Sequence, residues 1–229
     1  GDMERINYLI EGGDSGWHAG HQNLLAFANK LGFRSHEYAD SSTMLNSWMV
    51  EKMWVANEDV QPAFILPAIG QVEGGPSGFL YNPSKSFGEE YNNKFFVNIF
   101  RGNSPKTNIS MFNVREAGAG FKMTNFEVFF TGSSVVDMEF GPDGKMYLSE
   151  YNNGGYVNKD QGNIFTLEKL NSGSKDLVKA NQQILTQSFS NHSTEKLADL
   201  LAWDHQQIRL KAQFELAKRG EVAAKLFTQ

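Results

Sequence analysis

The chain contains no cysteine, and this absence excludes several kinds of chemistry. Disulfides, thiolate metal sites, a thiol nucleophile and covalent attachment of a c-type haem all require cysteine sulfur. No apolar run approaches the roughly 20 residues that a membrane-spanning helix needs. The formal net charge is −5, which argues against a nucleic-acid partner because phosphate binding requires clustered Lys and Arg. We therefore expect neither a membrane span nor bound nucleic acid.

The chain is rich in residues that favour strands and turns, with 18 Phe and 22 Gly in 229 residues. Aromatic side chains fit a pleated, half-buried surface, and glycine marks turns. Short strands separated by turn residues are typical of a sandwich, a barrel or a propeller. The predicted strands are 6–11, 63–68, 78–82, 94–100, 109–115, 121–130, 134–140, 145–150 and 162–168.

Helical periodicity is confined to two regions of the sequence. Apolar residues recur at helical spacing over 21–32 and 42–56, which predicts a helical insertion at about 20–58. The C-terminal region predicts helices at 175–187, 193–203 and 205–219, with another beginning at 221. We take 171–174 as the linker, so the predicted domains are 1–170 and 171–229.

The most informative segment is 136–150, in which Phe140-Gly141-Pro142-Asp143-Gly144 separates two strands. Pro142 presets φ for a tight turn and Gly144 can adopt positive φ, so turn chemistry alone predicts a β-hairpin. The complete sequence of this segment is more specific, because it resembles one blade of a glucose/sorbosone dehydrogenase propeller. Residues 162–167 resemble the strand that ends such a propeller.

Three further stretches resemble the same family in the same order, namely 7–17, 75–81 and 93–102. The resemblance covers roughly residues 5–170 apart from the insertion, and it matches only the later half of the family's propeller. It implies a mainly β fold, a partial β-propeller of about two to three four-stranded blades, with a helical insertion and a C-terminal α-helical tail. Residues 200–217 resemble the start of a HEAT-like repeat.

The resemblance also implies a quinoprotein that uses PQQ and Ca²⁺ as cofactors. The family's proton-abstracting His and main Ca²⁺ ligands lie in the earlier half, so we expect no catalytic residue in this chain. The positions that match the family's cofactor wall are Ser15, Trp17 and Arg101, and the candidate substrate-binding residues are His18, Gln22 and Ser77.

Each of these residues also has a structural interpretation. Trp17 can be a core aromatic, Arg101 can form an internal ion pair, and Ser77 can belong to a turn. His18 has a spacing to His21 that suits a metal pair, but no third ligand is evident, so we predict no metal site from them.

Two positions depart from the family's pattern. The two arginines that precede the blade's aspartate in glucose-oxidising members are Ser134 and Val136 here. Their loss removes two anion-binding charges, which weakens the expectation that this chain binds PQQ.

Two functions remain open at this point. The first is a fragment or subunit of a quinoprotein sugar or alcohol dehydrogenase-like protein, supplying part of the cofactor and substrate pocket. The second is a non-catalytic propeller and helical-repeat module that binds carbohydrate or a protein partner. The resemblance implies that the remaining blades come from another chain or a missing segment, that the ligand is a sugar or polyol, and that the protein is periplasmic or extracellular.

Overall fold

The computed structural model describes residues 4–15, 53–56, 63–151, 161–169 and 175–227, and these form a mainly β fold with three antiparallel sheets. The chain divides into two compact units. One comprises Met3–Val72 with Val114–Met123, and the other comprises Glu73–Asn113 with Thr124–Gln229. Of the described sheets, one has the four strands predicted for a blade, and the others have three and two.

The two-stranded sheet pairs β1 (Glu4–Asn7) with β2 (Ala68–Val72). Both strands begin at other positions than predicted, and Pro67 gives the reason for β2. Proline cannot donate to a ladder, so the strand starts after it, while the Leu66 N–H donates to the Asp14 carbonyl at 2.7 Å. Residues 53–56 form a turn and a bend instead of the predicted helix end. The rest of 42–56 and the helix predicted at 21–32 lie outside the described residues.

The four-stranded sheet has the order β3-β4-β5-β6. Its strands are β3 (Gly75–Tyr81), β4 (Phe95–Phe100), β5 (Asn108–Ala117) and β6 (Gly120–Thr131). β4 and β5 pair from Phe95↔Phe112 to Ile99↔Asn108. β3 pairs with β4 but loses regular register between Pro76 and Phe79.

The three-stranded sheet has the order β7-β8-β9 and contains the hairpin predicted from 136–150. Its strands are β7 (Val135–Phe140), β8 (Met146–Glu150) and β9 (Asn163–Leu167). The predicted turn is present, with Gly144 at φ 76° and its N–H donating to the Gly141 carbonyl at 3.0 Å.

The hydrophobic core lies between these two sheets. Strand β7 contacts both β3 and β4, and alternate residues of each strand point into the shared layer because side chains alternate across a strand. The buried core residues are Leu80, Phe87, Phe96, Ile109, Val135, Met138, Phe140, Met146 and Leu148.

The opposite face of the three-stranded sheet carries several exposed polar side chains together with the exposed Ile164 of β9. Glu139, Tyr147 and Thr166 lie opposite one another across β7, β8 and β9, and all three are exposed. Asp137 is exposed on the same face. An antiparallel sheet with one packed and one polar face is a common arrangement. A further blade packed on this face would bury the carboxylates of Asp137 and Glu139.

The helical tail contains α1 (Lys175–Leu185), α2 (Thr194–Leu200), α3 (Gln206–Arg219) and the short α4 (Glu221–Ala224). None of the described helices is both long and apolar enough to cross a membrane. The division at 171 and the HEAT-like nature of the tail stay predictions. The tail's own core consists of Phe189, Leu197, Leu200, Ile208, Ala212, Leu216 and Ala223.

Buried hydrogen bonds join this tail to the turn between β3 and β4. The Asn181 amide donates to the Ser86 hydroxyl at 2.9 Å and accepts from the Trp203 indole N–H at 2.7 Å. The Gln206 N–H donates to the Pro83 carbonyl at 2.7 Å. The tail belongs to the same compact unit as β3, β4 and the three-stranded sheet.

Candidate functional site

The clearest polar site in the described chain is built around Asn98 on β4, whose side chain is fully buried. Its Nδ2 donates to the Ser77 hydroxyl at 2.7 Å and to the Val135 carbonyl at 2.5 Å. A backbone carbonyl can only accept, so the amide nitrogen must face Val135 and the Oδ1 must face away. Asn98 on β4 is therefore hydrogen-bonded both to β3 and to the first residue of β7.

Strand geometry explains why Asn98 reaches both partners. Asn98 lies opposite Ile109 on β5 and shares the inward face of β4 with Phe96, because side chains two apart point to the same side. The irregular register between Pro76 and Phe79 lets Ser77 meet the amide. Gly78 permits the close approach, since an added Cβ would lie 3.0 Å from Asp137 Oδ1 and 3.1 Å from its Cα.

Further hydroxyl, amide and carboxylate groups lie at the start of β7 and at the positions paired with it, because Glu150 lies opposite Val135 and Asn163 lies opposite Glu150. The Ser134 and Ser104 hydroxyls lie 3.1 Å apart. The Glu150 carboxylate accepts from the Ser133 hydroxyl at 2.8 Å and from the Asn163 amide at 3.2 Å. We call this set the Asn98 edge, and its members are Ser77, Asn98, Ser104, Ser133, Ser134, Glu150 and Asn163.

Arg101 follows β4 and is exposed, and its guanidinium donates to the Glu73 carbonyl at 3.2 Å. Gly74 lies against both Ile99 and Arg101, because a Cβ there would meet Ile99 Cγ2 at 2.8 Å and Arg101 Nε at 3.3 Å. Ile99 points to the face opposite Asn98 by strand alternation. The structure thus places the Arg101 and Ser77 side chains on different faces of the sheet. The cofactor role of Arg101 stays a prediction.

Ser15 lies in the other unit and is partly buried. Its backbone carbonyl accepts a hydrogen bond from the Arg5 guanidinium, and its neighbour Asp14 lines a cavity of about 610 Å³. The Tyr8 and Phe121 rings meet edge to face there with centroids 4.9 Å apart. The lining residues are Tyr8, Ile10, Gly12, Gly13, Asp14, Ala63, Phe64, Ile65, Leu66, Pro67, Ile69, Ala117, Ala119, Gly120 and Phe121.

Trp17, His18 and Gln22, the other predicted site residues, lie outside the described residues. Their assigned roles stay predictions, as does the role of Ser15 in cofactor binding.

The described residues of these two regions offer little positive charge to a triply anionic quinone such as PQQ. Ser134, at a position where the resemblance implies an arginine, is only 1% exposed and hydrogen-bonds Ser104. The Asn98 edge as defined holds the acidic Glu150 and no Lys or Arg, and the described cavity lining holds Asp14 and no Lys or Arg. Recognition of carboxylates relies on such cations. In the described ranges, no three acidic or histidine side chains form a group that could hold a metal ion.

Sequence reasoning missed Asn98, although it singled out the strand that carries it. The sequence does show an asparagine as the single polar residue of the apolar strand Phe95-Phe96-Val97-Asn98-Ile99-Phe100. Asn98 is two residues from Phe96, so both side chains face the same side of the sheet. A buried polar side chain in such a strand requires hydrogen-bond partners. Its partners, at Ser77 and Val135, are separated from it by 21 and 37 residues.

Comparison with known proteins gives one weak structural neighbour. The crystal structure of a Thermus thermophilus protein assigned as an oxidoreductase (glucose dehydrogenase) aligns with a TM-score of 0.34 and 14% identity. The alignment covers 49% of this chain and 32% of that protein's chain. A TM-score this low does not establish a shared fold. No protein-family model and no curated protein matches the chain.

Proposed function

We propose that this chain is part of a glucose/sorbosone dehydrogenase-like protein, and that its Asn98 edge forms part of the wall of a sugar- or polyol-binding site. The observation that carries the proposal is the pair of hydrogen bonds made by Asn98. They connect the stretches 75–81 and 93–102 with the start of β7, and all three resemble segments of that family.

The chemistry of the Asn98 edge suits a neutral ligand with many hydroxyl groups. Ser77 and Asn163 are exposed and Glu150 is partly exposed, so a ligand can reach them. Each carboxylate oxygen has two lone pairs, and the Glu150 oxygens each accept one of the described bonds, from Ser133 and from Asn163. The edge therefore offers both donors and acceptors, which is what orients small ligands in binding sites.

The proposal assigns no hydride or proton transfer to the described residues. PQQ, if bound, would supply the hydride-accepting chemistry, and the protein would supply placement and charge. The Asn98 edge lacks the charge for that anion, so in this proposal the cofactor and the catalytic base belong to the rest of the protein.

Saturation-transfer NMR on the purified chain tests the proposal with D-glucose and sorbitol as probes. We expect transfer to both ligands and weaker transfer in Ser77→Ala. Thr186→Ala, which removes an exposed hydroxyl on the helical tail, is the matched control and should behave like the wild type. Absence of transfer to either ligand would refute the proposal.

The lack of Lys and Arg in the Asn98 edge as defined also favours a second candidate, a non-catalytic carbohydrate-binding module. The two candidates differ in redox activity. A dye-reduction assay with glucose, PQQ and Ca²⁺ separates them when it is run on the protein that contains this chain together with the remaining blades. Dye reduction by that protein supports the dehydrogenase candidate, whereas sugar binding without dye reduction supports the binding module.

A further inference from the structure

We propose that Asn98 is a positioning residue that fixes the Ser77 hydroxyl as a hydrogen-bond donor to an oxygen acceptor of the ligand. This inference rests on the proposed function and names the polarity of one ligand contact. A free serine hydroxyl can either donate or accept, so it does not select between ligand groups on its own.

The Val135 carbonyl fixes the direction of the hydrogen bond between the Asn98 and Ser77 side chains. The Asn98 nitrogen must face the Val135 carbonyl, and that same nitrogen lies 2.7 Å from Ser77 Oγ. The amide is therefore the donor to Ser77 and the hydroxyl oxygen is the acceptor. The Ser77 O–H can then donate a hydrogen bond to another partner. Because Ser77 is exposed, that partner is solvent or a ligand.

Asn98 carries a cost in stability that its two donated bonds must offset. Its Oδ1 is buried and has no hydrogen-bond partner among the described residues, and an unpaired buried acceptor is costly. The neighbouring inward residues Phe96 and Ile109 are apolar and fully buried. An apolar residue at 98 would avoid that cost but would lose the bonds to Ser77 and to the Val135 carbonyl, so those two bonds are what the amide contributes.

The donor role of the Ser77 hydroxyl determines which ligand atom it contacts. A hydroxyl held as a donor prefers the lone pair of a hydroxyl, ring or carbonyl oxygen and disfavours a position occupied by a C–H group. Sites that hydrogen-bond a substrate hydroxyl discriminate strongly against analogues that lack it. The Ser77 contact should therefore distinguish a sugar from its deoxy analogue at one carbon.

A double-mutant cycle tests this role, with Kd for D-glucose measured by NMR titration on the whole chain. We expect Ser77→Ala and Asn98→Leu each to weaken binding about three- to tenfold, as for loss of one neutral hydrogen bond. The double variant should bind no worse than Ser77→Ala, because Asn98 acts through Ser77. Losses that add in the double variant, or an unchanged Kd in either single variant, would overturn the inference and leave the proposed function standing.

Asn82→Leu is the matched control for loss of a buried amide. Asn82 is 2% exposed, and its Nδ2 donates to the Tyr91 carbonyl at 2.7 Å, away from Ser77. We expect it to lower the thermal midpoint while leaving Kd unchanged. A Kd for Asn82→Leu as weak as that of Asn98→Leu contradicts a specific role for Asn98.

Monodeoxy and mono-O-methyl glucoses give a second readout that needs no change at Asn98. The O-methyl sugar keeps the oxygen acceptor and the deoxy sugar loses it. At one carbon, the wild type should bind the deoxy sugar more weakly than the O-methyl sugar, and Ser77→Ala should remove that difference. Equal binding of both analogues at every carbon overturns the inference, and no binding of glucose by the wild type overturns both proposals.

Discussion

Acidification should destabilise the helical tail through His205, which caps the N-terminus of α3. The side chain is 4% exposed, and its Nδ1 accepts the Gln207 N–H at 3.2 Å. Burial lowers the pKa of His205 to about 4, and the nearby Asp204 carboxylate only partly opposes this effect. Protonation of Nδ1 would replace the acceptor that the cap requires with a donor.

The magnitude follows from the pKa values of the folded and unfolded states. An unperturbed histidine titrates near 6.5, so unfolding raises the pKa of His205 by between two and three units, or about 3 kcal/mol. Between pH 6.5 and 4 the unfolded chain binds more protons than the folded chain. The free energy of unfolding therefore falls as the pH falls through this window, with the full contribution present above pH 6.5 and none of it left below about pH 4.

Urea unfolding at a series of pH values between 7.5 and 4 measures this loss, with tryptophan fluorescence and circular dichroism as probes. The matched variant is His205→Asn, because asparagine caps helices well and does not titrate. The wild type should lose about 3 kcal/mol more than His205→Asn across the window. Parallel loss in the two proteins would refute a neutral, capping His205.

Two other substitutions test the packing of the unit that carries the Asn98 edge. Gly78→Ala should cost about 1–3 kcal/mol in unfolding free energy, because its Cβ would meet the Asp137 backbone and carboxylate. Gly120→Ala is the control and should cost far less, because the space at its Cβ is open. Equal thermal midpoints of the two variants would contradict the close approach at Gly78. Asn181→Leu should cost roughly 1–3 kcal/mol in unfolding free energy, because it leaves Ser86 and the Trp203 indole without their hydrogen bonds to Asn181. Thr186→Ala on the exposed tail surface is the control and should change urea unfolding little. If Asn181→Leu also leaves urea unfolding unchanged, the tail does not depend on this contact.

Local chemistry made some elements predictable from the sequence. Pro142 presets φ and Gly144 can adopt positive φ, so the turn between β7 and β8 could be predicted from the sequence. The helix at 205–219 was also predictable, because its apolar residues recur at helical spacing. Strand 63–68 was misplaced because its apolar run was given more weight than Pro67, which cannot donate to a ladder and delays the start of β2 to Ala68.

Long-range contacts made the candidate site harder to predict. Nothing near Asn98 in sequence identifies Val135 as its partner, and Asn181 meets Ser86 across a separation of 95 residues. Sequence patterns predicted much of the secondary structure, but which polar groups meet depends on how the sheets pack.

Residue-resolved NMR mapping of sorbitol binding is the most direct test of the Asn98 edge as a polyol site. The account predicts amide shifts that saturate together at Ser77, Val135, Glu150 and Asn163, and that vanish or weaken together in Asn98→Leu while persisting in Asn82→Leu. Shifts confined to other parts of the chain, or no saturable shift at these four residues, would contradict it.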